Sequence, residues 1–349
     1  MPHVARHLTI LVLTLLLGGC TANARGAPDS FAPLVKKVLP SVVNIQVTEA
    51  APKGDSLRDL PPELRDTPLG REFKRRFGGR PERTMGAGSG FIIDPSGIIV
   101  TNNHVVGRAE KIVVALTNGH QYPAKLIGQD VLTDIAVIKV VANEPLYAVT
   151  WGDSRQMQVG DWILAAGNPF GLGGSVASGI ISAEGRDLGS GPFDNFLQLD
   201  APINPGNSGG PVFNMDGQVI GVSSVIVSPT GASVGIGFAI PSEIVNPVVR
   251  QLMATGMIER GWLGVSVEDH DEGVLISAID RSGPAAVAGV RLGDEVVAIN
   301  GATVSTSRGL ISAVAAETPG QSTRLTVRRE GQTMDLPVVV GLRPGAKEE

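Results

Sequence analysis

The run Asn204-Pro205-Gly206-Asn207-Ser208-Gly209-Gly210-Pro211 places one serine among glycines. A serine hydroxyl attacks a carbonyl carbon only when a base takes its proton and donors receive the oxyanion that forms. Glycines let the backbone turn sharply and aim N–H groups at one spot, so the amides of Gly206 and Ser208 are candidates for that pocket. Taken alone, the run also fits a tight turn between strands. A base is available, however. Beyond His3 and His7 the chain holds three histidines, His104, His120 and His270. His120 follows Asn118-Gly119, a hairpin dipeptide, and His270 lies among acidic residues. His104 ends a buried-looking strand and is the best-placed base. Asp134 follows it by 30 residues and precedes Ser208 by 74. Asp134 would hold the imidazole in one tautomer while His104 relays the serine proton to a leaving amine. The chemistry of such a set is acyl transfer to water.

These residues need a scaffold, and the composition says which kind. The chain has 349 residues, 42% hydrophobic and 18% charged, enough for two or three domains with a real core. Its 45 glycines and many short Val and Ile runs favour strands joined by tight turns. A net charge of −5 gives no reason to expect a nucleic-acid partner. No cluster of histidines and carboxylates has ligand spacing, so neither a metal nor another cofactor is expected.

The N-terminus reads as a targeting segment. A weakly basic start precedes the apolar run Leu8 to Leu17, about half of the roughly 20 residues a spanning helix requires. Leu17-Gly18-Gly19-Cys20 resembles a bacterial lipobox, which implies cleavage after residue 19 and a lipid on Cys20. An ordinary signal peptide with a chance cysteine is the alternative. Cys20 is the only cysteine, so the mature chain cannot form an internal disulfide. Residues 20–33 read as a tether. Residues 52–83 are dense in charge, with Leu69, Phe73 and Phe77 spaced as a helical stripe. They form either a solvated loop or one that docks on a neighbouring subunit. Asp94-Pro95-Ser96-Gly97 is a strong turn, and Ser242-Glu243 is expected to cap a helix ending near Met253.

Six segments taken together, in this order, resemble the HtrA (Deg) serine proteases. They are Gly88 to Ile93, Thr101 to Val106, Thr133 to Val137, Gly167 to Gly171, Asp200 to Asn204 and Gly206 to Pro211. The resemblance covers roughly residues 30–341 and implies a mostly β chain: a trypsin-like double β-barrel over 34–254, with the site between barrels, then one PDZ domain, β with two helices, over 259–341. Arg260 to Val267 and Ser282 to Gly301 carry the PDZ likeness. Trp262, Leu263, Gly264 and Val265 would form the loop that receives a peptide C-terminal carboxylate, and the peptide would add a strand beside Val265 to Val267.

The resemblance further implies that Ile203, Ile226 and Val227 line the pocket for the residue before the scissile bond. Such a pocket suits small or medium aliphatic side chains. Arg186 would stand where regulation is relayed to the oxyanion loop. Pro202 and Pro205 stand where relatives often carry other residues, which stiffens the chain ahead of Ser208, and residues 52–83 lack the cysteines of some relatives; neither departure removes a catalytic group. The expected role is envelope quality control, facing the periplasm, with unfolded proteins and peptides as substrates, C-terminal peptides as PDZ ligands, and a homotrimer or an assembly of trimers. A holdase or PDZ scaffold with little proteolysis is the alternative.

Overall fold

In the computed structural model of the chain, residues 28–49, 84–169, 173–189, 191–204, 206–226, 233–270 and 273–344 are described. Cys20, the aromatic stripe Leu69, Phe73 and Phe77, Pro205 and Val227 lie outside the described residues.

A short helix α1 (Ala32–Val38) leads into the first of two closed barrels. That barrel consists of β1 (Val42–Glu49), β2 (Thr84–Asp94), β3 (Ile98–Asn102), β4 (Ala109–Leu116), β5 (Gln121–Asp130) and β6 (Ile135–Val140), in the order β1-β2-β3-β6-β5-β4. The two-residue period of a strand sends Val43, Ile45 and Val47 of β1 into the barrel core. Asn44 points the other way, is also fully buried, and donates to the Asn168 carbonyl at 2.8 Å. The Asp94–Gly97 turn closes as expected: Gly97 N–H donates to the Asp94 carbonyl and Gly97 adopts a φ of +97°. Antiparallel pairing sets Asn102 of β3 opposite Ile135 of β6. That register brings the chain leaving β3 alongside the chain entering β6, and so positions the first half of the site.

The second barrel comprises β7 (Trp162–Gly167), β8 (Ser175–Arg186), β9 (Phe196–Leu199), β10 (Pro211–Phe213), β11 (Val219–Ile226) and β12 (Gly237–Pro241), ordered β10-β11-β12-β9-β8-β7. Its core gathers Ile163, Ile181, Leu199, Val212 and Ile220. Helix α2 (Asn103–Val106) is a single turn after β3. Helix α3 (Ser242–Thr255) buries Val245, Val248, Val249 and Leu252, and Gly256 stops it at a φ of +77°. Its start differs from the sequence expectation. Ser242 makes no side-chain cap; its buried hydroxyl donates to the Gly152 carbonyl and accepts from the Ser154 amide, which ties the helix to the second barrel.

The remaining strands form a smaller β unit. β13 (Gly261–Trp262) pairs with β20 (Gly341–Leu342), and a sheet runs β14 (Val265–His270), β15 (Gly273–Ile279), β16 (Glu295–Ile299), β18 (Ser322–Arg329), β19 (Gln332–Val339), with β17 (Ala302–Thr303) on β16. The Asn300-Gly301 hairpin turn is present, both residues at positive φ. Helix α4 (Pro284–Val287) has no side-chain cap, because its N-cap residue is Gly283; the neighbouring Ser282 hydroxyl donates to Asp280 Oδ1. Helix α5 (Ser307–Ala316) is capped by the Thr306 hydroxyl, which accepts from Gly309 N–H at 3.1 Å. Among the described residues no helix is long and apolar enough to cross a membrane.

Candidate active site

The site is assembled at the ends of four strands. β3 ends at Asn102, and α2 presents His104 half-exposed at the lip of the barrel. Asp134 sits one residue before β6 with a φ of +56°, a left-handed conformation that Asp tolerates better than most residues. The neighbouring β3 end holds it there: the Asn103 amide and the Asn102 side-chain amide both donate to the Asp134 carbonyl, at 3.0 and 2.9 Å.

The Asp134 carboxylate then receives three donors. The His104 amide reaches Oδ1 at 2.9 Å, His104 Nδ1 reaches Oδ2 at 2.7 Å, and the Ser224 hydroxyl reaches Oδ2 at 3.0 Å. An ionised carboxylate only accepts hydrogen bonds, so Nδ1 carries the imidazole proton and Nε2 is left as the acceptor. That is the tautomer a general base requires.

Ser208 comes from the second barrel, in the turn ahead of β10. Its conformation depends on the glycines after it. Gly209 has a φ of +83°, and a Cβ there would lie 2.3 Å from the Ser89 carbonyl oxygen; a Cβ on Gly210 would lie 2.1 Å from the Ala166 carbonyl oxygen. The turn is stitched to β11 by Gly209 N–H to the Ser223 carbonyl and by Ser223 N–H to the Gly210 carbonyl. The Ser208 hydroxyl donates to the Ser224 carbonyl at 3.2 Å and not to His104. Ser224 therefore faces both halves of the site, its hydroxyl on Asp134 and its carbonyl on Ser208. Catalytic contacts commonly tighten only when substrate is present, and a hydroxyl turns easily. Gly206 adopts a φ of +95°.

A cavity of about 300 Å³ opens beside His104 and Asp134, lined by Leu132, Thr133, Phe193, Ser224 and Val225 among others. Ile203 is buried in the second-barrel core with Ile226 packed on the same cluster, and a Cβ on Gly237 would stand 2.8 Å from Ile203 Cδ1. Arg186 ends β8, where its Nε donates to Gln198 Oε1 at 2.9 Å. His120 is exposed in its hairpin, and His270 faces Glu295 at 4.0 Å, so neither joins the site.

A second groove, of about 220 Å³, lies between β14 and α5. Trp262, Leu263, Gly264 and Val265 line one side; Leu310, Ile311 and Val314 line the other. Gly264 takes a φ of +75° that lets the loop turn under the groove. Pro192, from the loop after β8, also lines it, and the Ser312 hydroxyl donates to the Pro192 carbonyl at 2.5 Å. Arg308 of α5 bonds the Asp194 carbonyl and the Asp187 carboxylate of the same loop. Arg260, just before β13, forms a bidentate pair with Asp130 at 2.6 and 2.7 Å and lies 4.5 Å over the Phe193 ring.

Sequence reasoning missed Ser224, Ser89 and Arg260. The only signal for Ser224 was the pair Ser223-Ser224 inside the otherwise apolar run of β11, where both side chains are buried.

Both parts of the fold have known relatives. Residues 88–222 match the model of a trypsin-like peptidase domain, and residues 261–340 match that of a PDZ domain. A probable periplasmic serine endoprotease, DegP-like, of Brucella suis biovar 1 is 41% identical over 357 residues, covering 91% of this chain and 69% of that protein. A protein of the same description from Pseudomonas fulva is 38% identical, covering 99% of this chain and 77% of the relative. Among solved structures, the HtrA-type protease AlgW with a decapeptide superposes with a TM-score of 0.76 at 37% identity, covering 90% of this chain and 99% of that one. A serine endoprotease from Yersinia pestis superposes with a TM-score of 0.70 at 32% identity, covering 91% of this chain and 100% of that one.

Proposed function

This chain belongs to the HtrA-type, DegP-like family of trypsin-like serine endoproteases with a PDZ domain, and from that premise we propose that Ser208, His104 and Asp134 carry out its peptide-bond hydrolysis. His104 Nε2 takes the Ser208 proton as Oγ attacks the scissile carbonyl. Asp134 holds the ring and stabilises the imidazolium. The amides of Gly206 and Ser208 receive the oxyanion. The tetrahedral intermediate collapses when His104 returns the proton to the leaving amine. A water molecule, activated by the same imidazole, then releases the acyl group. The observation that carries this reading is the Asp134 carboxylate, held by the His104 amide, the His104 ring and the Ser224 hydroxyl at 2.9, 2.7 and 3.0 Å.

The substrates are unfolded or mislocalised proteins of the envelope, in keeping with relatives described as periplasmic. Ile203 and Ile226 close the base of the pocket for the residue before the cut, so cleavage follows small or medium aliphatic residues. Its apolar walls offer no carboxylate to a Lys or Arg. C-terminal peptides bind between β14 and α5 with their carboxylate on the Trp262–Val265 loop. Occupancy of that groove is relayed to the oxyanion loop through the loop after β8, with Arg186 at its base. The mature chain is lipid-anchored through Cys20, faces the periplasm, and works as a homotrimer or an assembly of trimers.

The test is hydrolysis of an unfolded casein by wild type and Ser208→Ala. Cleavage by the wild type with none by the folded variant is the expected result. A Ser208→Ala protein that still cleaves would overturn the assignment.

A further inference from the structure

Ser89 is a fully buried serine in β2. It belongs to the barrel that carries His104, yet its hydroxyl and its amide both bond to the other barrel. Its hydroxyl donates to the Gly206 carbonyl at 2.6 Å and accepts from the Asn168 amide at 2.8 Å. Its own amide donates to the Ser208 carbonyl at 2.8 Å, and its carbonyl accepts from the Thr101 hydroxyl at 2.7 Å. One residue of the first barrel thus grips the nucleophile turn at two points, on either side of the nucleophile.

We propose that Ser89 is a positioning residue for the oxyanion pocket, acting through the Gly206 carbonyl; this rests on the assignment of Ser208 as nucleophile. Gly206 has no Cβ, and a glycine at positive φ is free to rotate between conformations that other residues cannot reach. Nothing in its own side chain selects one of them. A peptide plane is rigid, so holding the Gly206 carbonyl fixes the whole Gly206–Asn207 plane. The far end of that plane is tied too, since the Asn207 amide donates to the Asn204 carbonyl at 3.0 Å. With that plane and the Ser208 carbonyl both held, the segment bearing the pocket's two N–H groups is clamped at its Gly206 and Ser208 ends. The hydroxyl also bridges Gly206 to the amide of Asn168, whose carbonyl takes the Asn44 side chain of β1. The pocket is therefore oriented by the first barrel, across the inter-barrel boundary.

Ser89→Ala removes the Gly206 end of the clamp, leaving the Gly206 carbonyl and Asn168 amide without the hydroxyl, and keeps the backbone bond to Ser208. Deleting an oxyanion donor outright lowers kcat by about 100- to 1,000-fold; a donor left in place but no longer held should lose less, roughly 10- to 100-fold. The measurement is steady-state kinetics of the full chain on an internally quenched peptide with Val before the scissile bond. It is paired with inhibition by the matching peptide aldehyde, whose adduct on Ser208 needs the pocket, and by the matching alcohol, which does not. Ser41→Ala is the structural comparator: its hydroxyl is equally buried and donates to the Val38 carbonyl at 2.7 Å, remote from the nucleophile. Ser89→Cys, of similar volume with a weaker donor, replaces the alanine variant if that variant does not fold.

The expected result is a fall in kcat with KM nearly unchanged, and aldehyde binding weakened about as much as kcat falls while alcohol binding stays put. Equal loss of aldehyde and alcohol binding, a kcat within twofold of wild type, or a loss matched by Ser41→Ala overturns the inference. If Ser208→Ala is inactive and Ser89→Ala keeps wild-type kcat, the inference fails and the nucleophile assignment stands. If Ser208→Ala still cleaves, the assignment itself fails.

Discussion

Among the described residues, the Arg260–Asp130 pair is the most buried ion pair between the β unit that begins at β13 and the first barrel. Both side chains are nearly sealed from solvent, 7% and 6% exposed, and the guanidinium meets both carboxylate oxygens, at 2.6 and 2.7 Å. The same carboxylate accepts the Thr133 amide at 3.3 Å and the Thr133 hydroxyl, so it also fastens the turn that ends in Asp134. Removing one partner of a buried pair costs about 3–5 kcal/mol, because the other charge stays buried and uncompensated. The stacking of Arg260 on Phe193, 4.5 Å from the ring centroid, adds a further contact that the same change removes. Arg260→Met keeps most of the side-chain volume and deletes the charge. At roughly 2–4 °C per kcal/mol for a large domain, its transition should fall by about 6–20 °C. Asp130→Asn combined with Arg260→Met removes both charges while keeping an acceptor for Thr133. It should recover much of the loss, since a buried pair replaced on both sides is often close to neutral. The assay is thermal and chemical denaturation of wild type, both single variants and the double variant, with hydrogen exchange along β5 to locate the change. A loss below about 1 kcal/mol for Arg260→Met would refute the reasoning, because an uncompensated buried carboxylate cannot be that cheap. So would single-variant costs that simply add in the double variant.

Two further outcomes follow from the described contacts. Burial pushes the Asp294 carboxyl up, but the Arg329 side chain and the Arg291 amide outweigh burial and hold it below the ordinary carboxylate range. A depressed folded pKa stabilises fully above the unfolded value of about 3.9 and is lost as pH falls through the folded value. The stability gap between wild type and Arg329→Met should therefore be constant near neutrality and shrink below about pH 4; a gap that stays the same down to about pH 2 would contradict this pairing. Ile203→Ala should admit larger residues before the scissile bond, shifting preference toward Leu or Phe by about tenfold. Its stability cost should be about 2–5 kcal/mol, as for other buried Ile truncations. A peptide-library profile unchanged from wild type would exclude Ile203 from the pocket.

Local patterns were readable in the chain. His104 at the end of β3, Asp134 ahead of β6 and Ser208 in a glycine turn all sit in short motifs, and the 94–97 and 300–301 turns declare themselves through Asp, Asn and Gly. What stayed hidden depends on register between elements far apart in sequence. Ser224 reaches Asp134 across 90 residues and Ser89 reaches Gly206 across 117. No local pattern encodes such a meeting. Ser242 shows the opposite failure: its type and place suit a cap, but tertiary contacts with Gly152 and Ser154 claim the hydroxyl. The second helix implied by the PDZ likeness, α5, was not located in the sequence because its capping Thr306 and its apolar Leu310 and Val314 are spread over a segment rich in small residues.

On the proposed assignment the base and its carboxylate come from one barrel and the nucleophile from the other, with Ser224 and Ser89 spanning the gap in opposite directions. A chain that has closed only its first barrel has an oriented imidazole and nothing for it to deprotonate. A chain that has closed only the second has a serine with no proton acceptor. On the proposed assignment, hydrolytic capacity arises only when both barrels are complete and docked. A half-made copy would then be harmless to its neighbours, and the division of the site between two barrels itself serves the purpose that an inhibitory propeptide serves elsewhere.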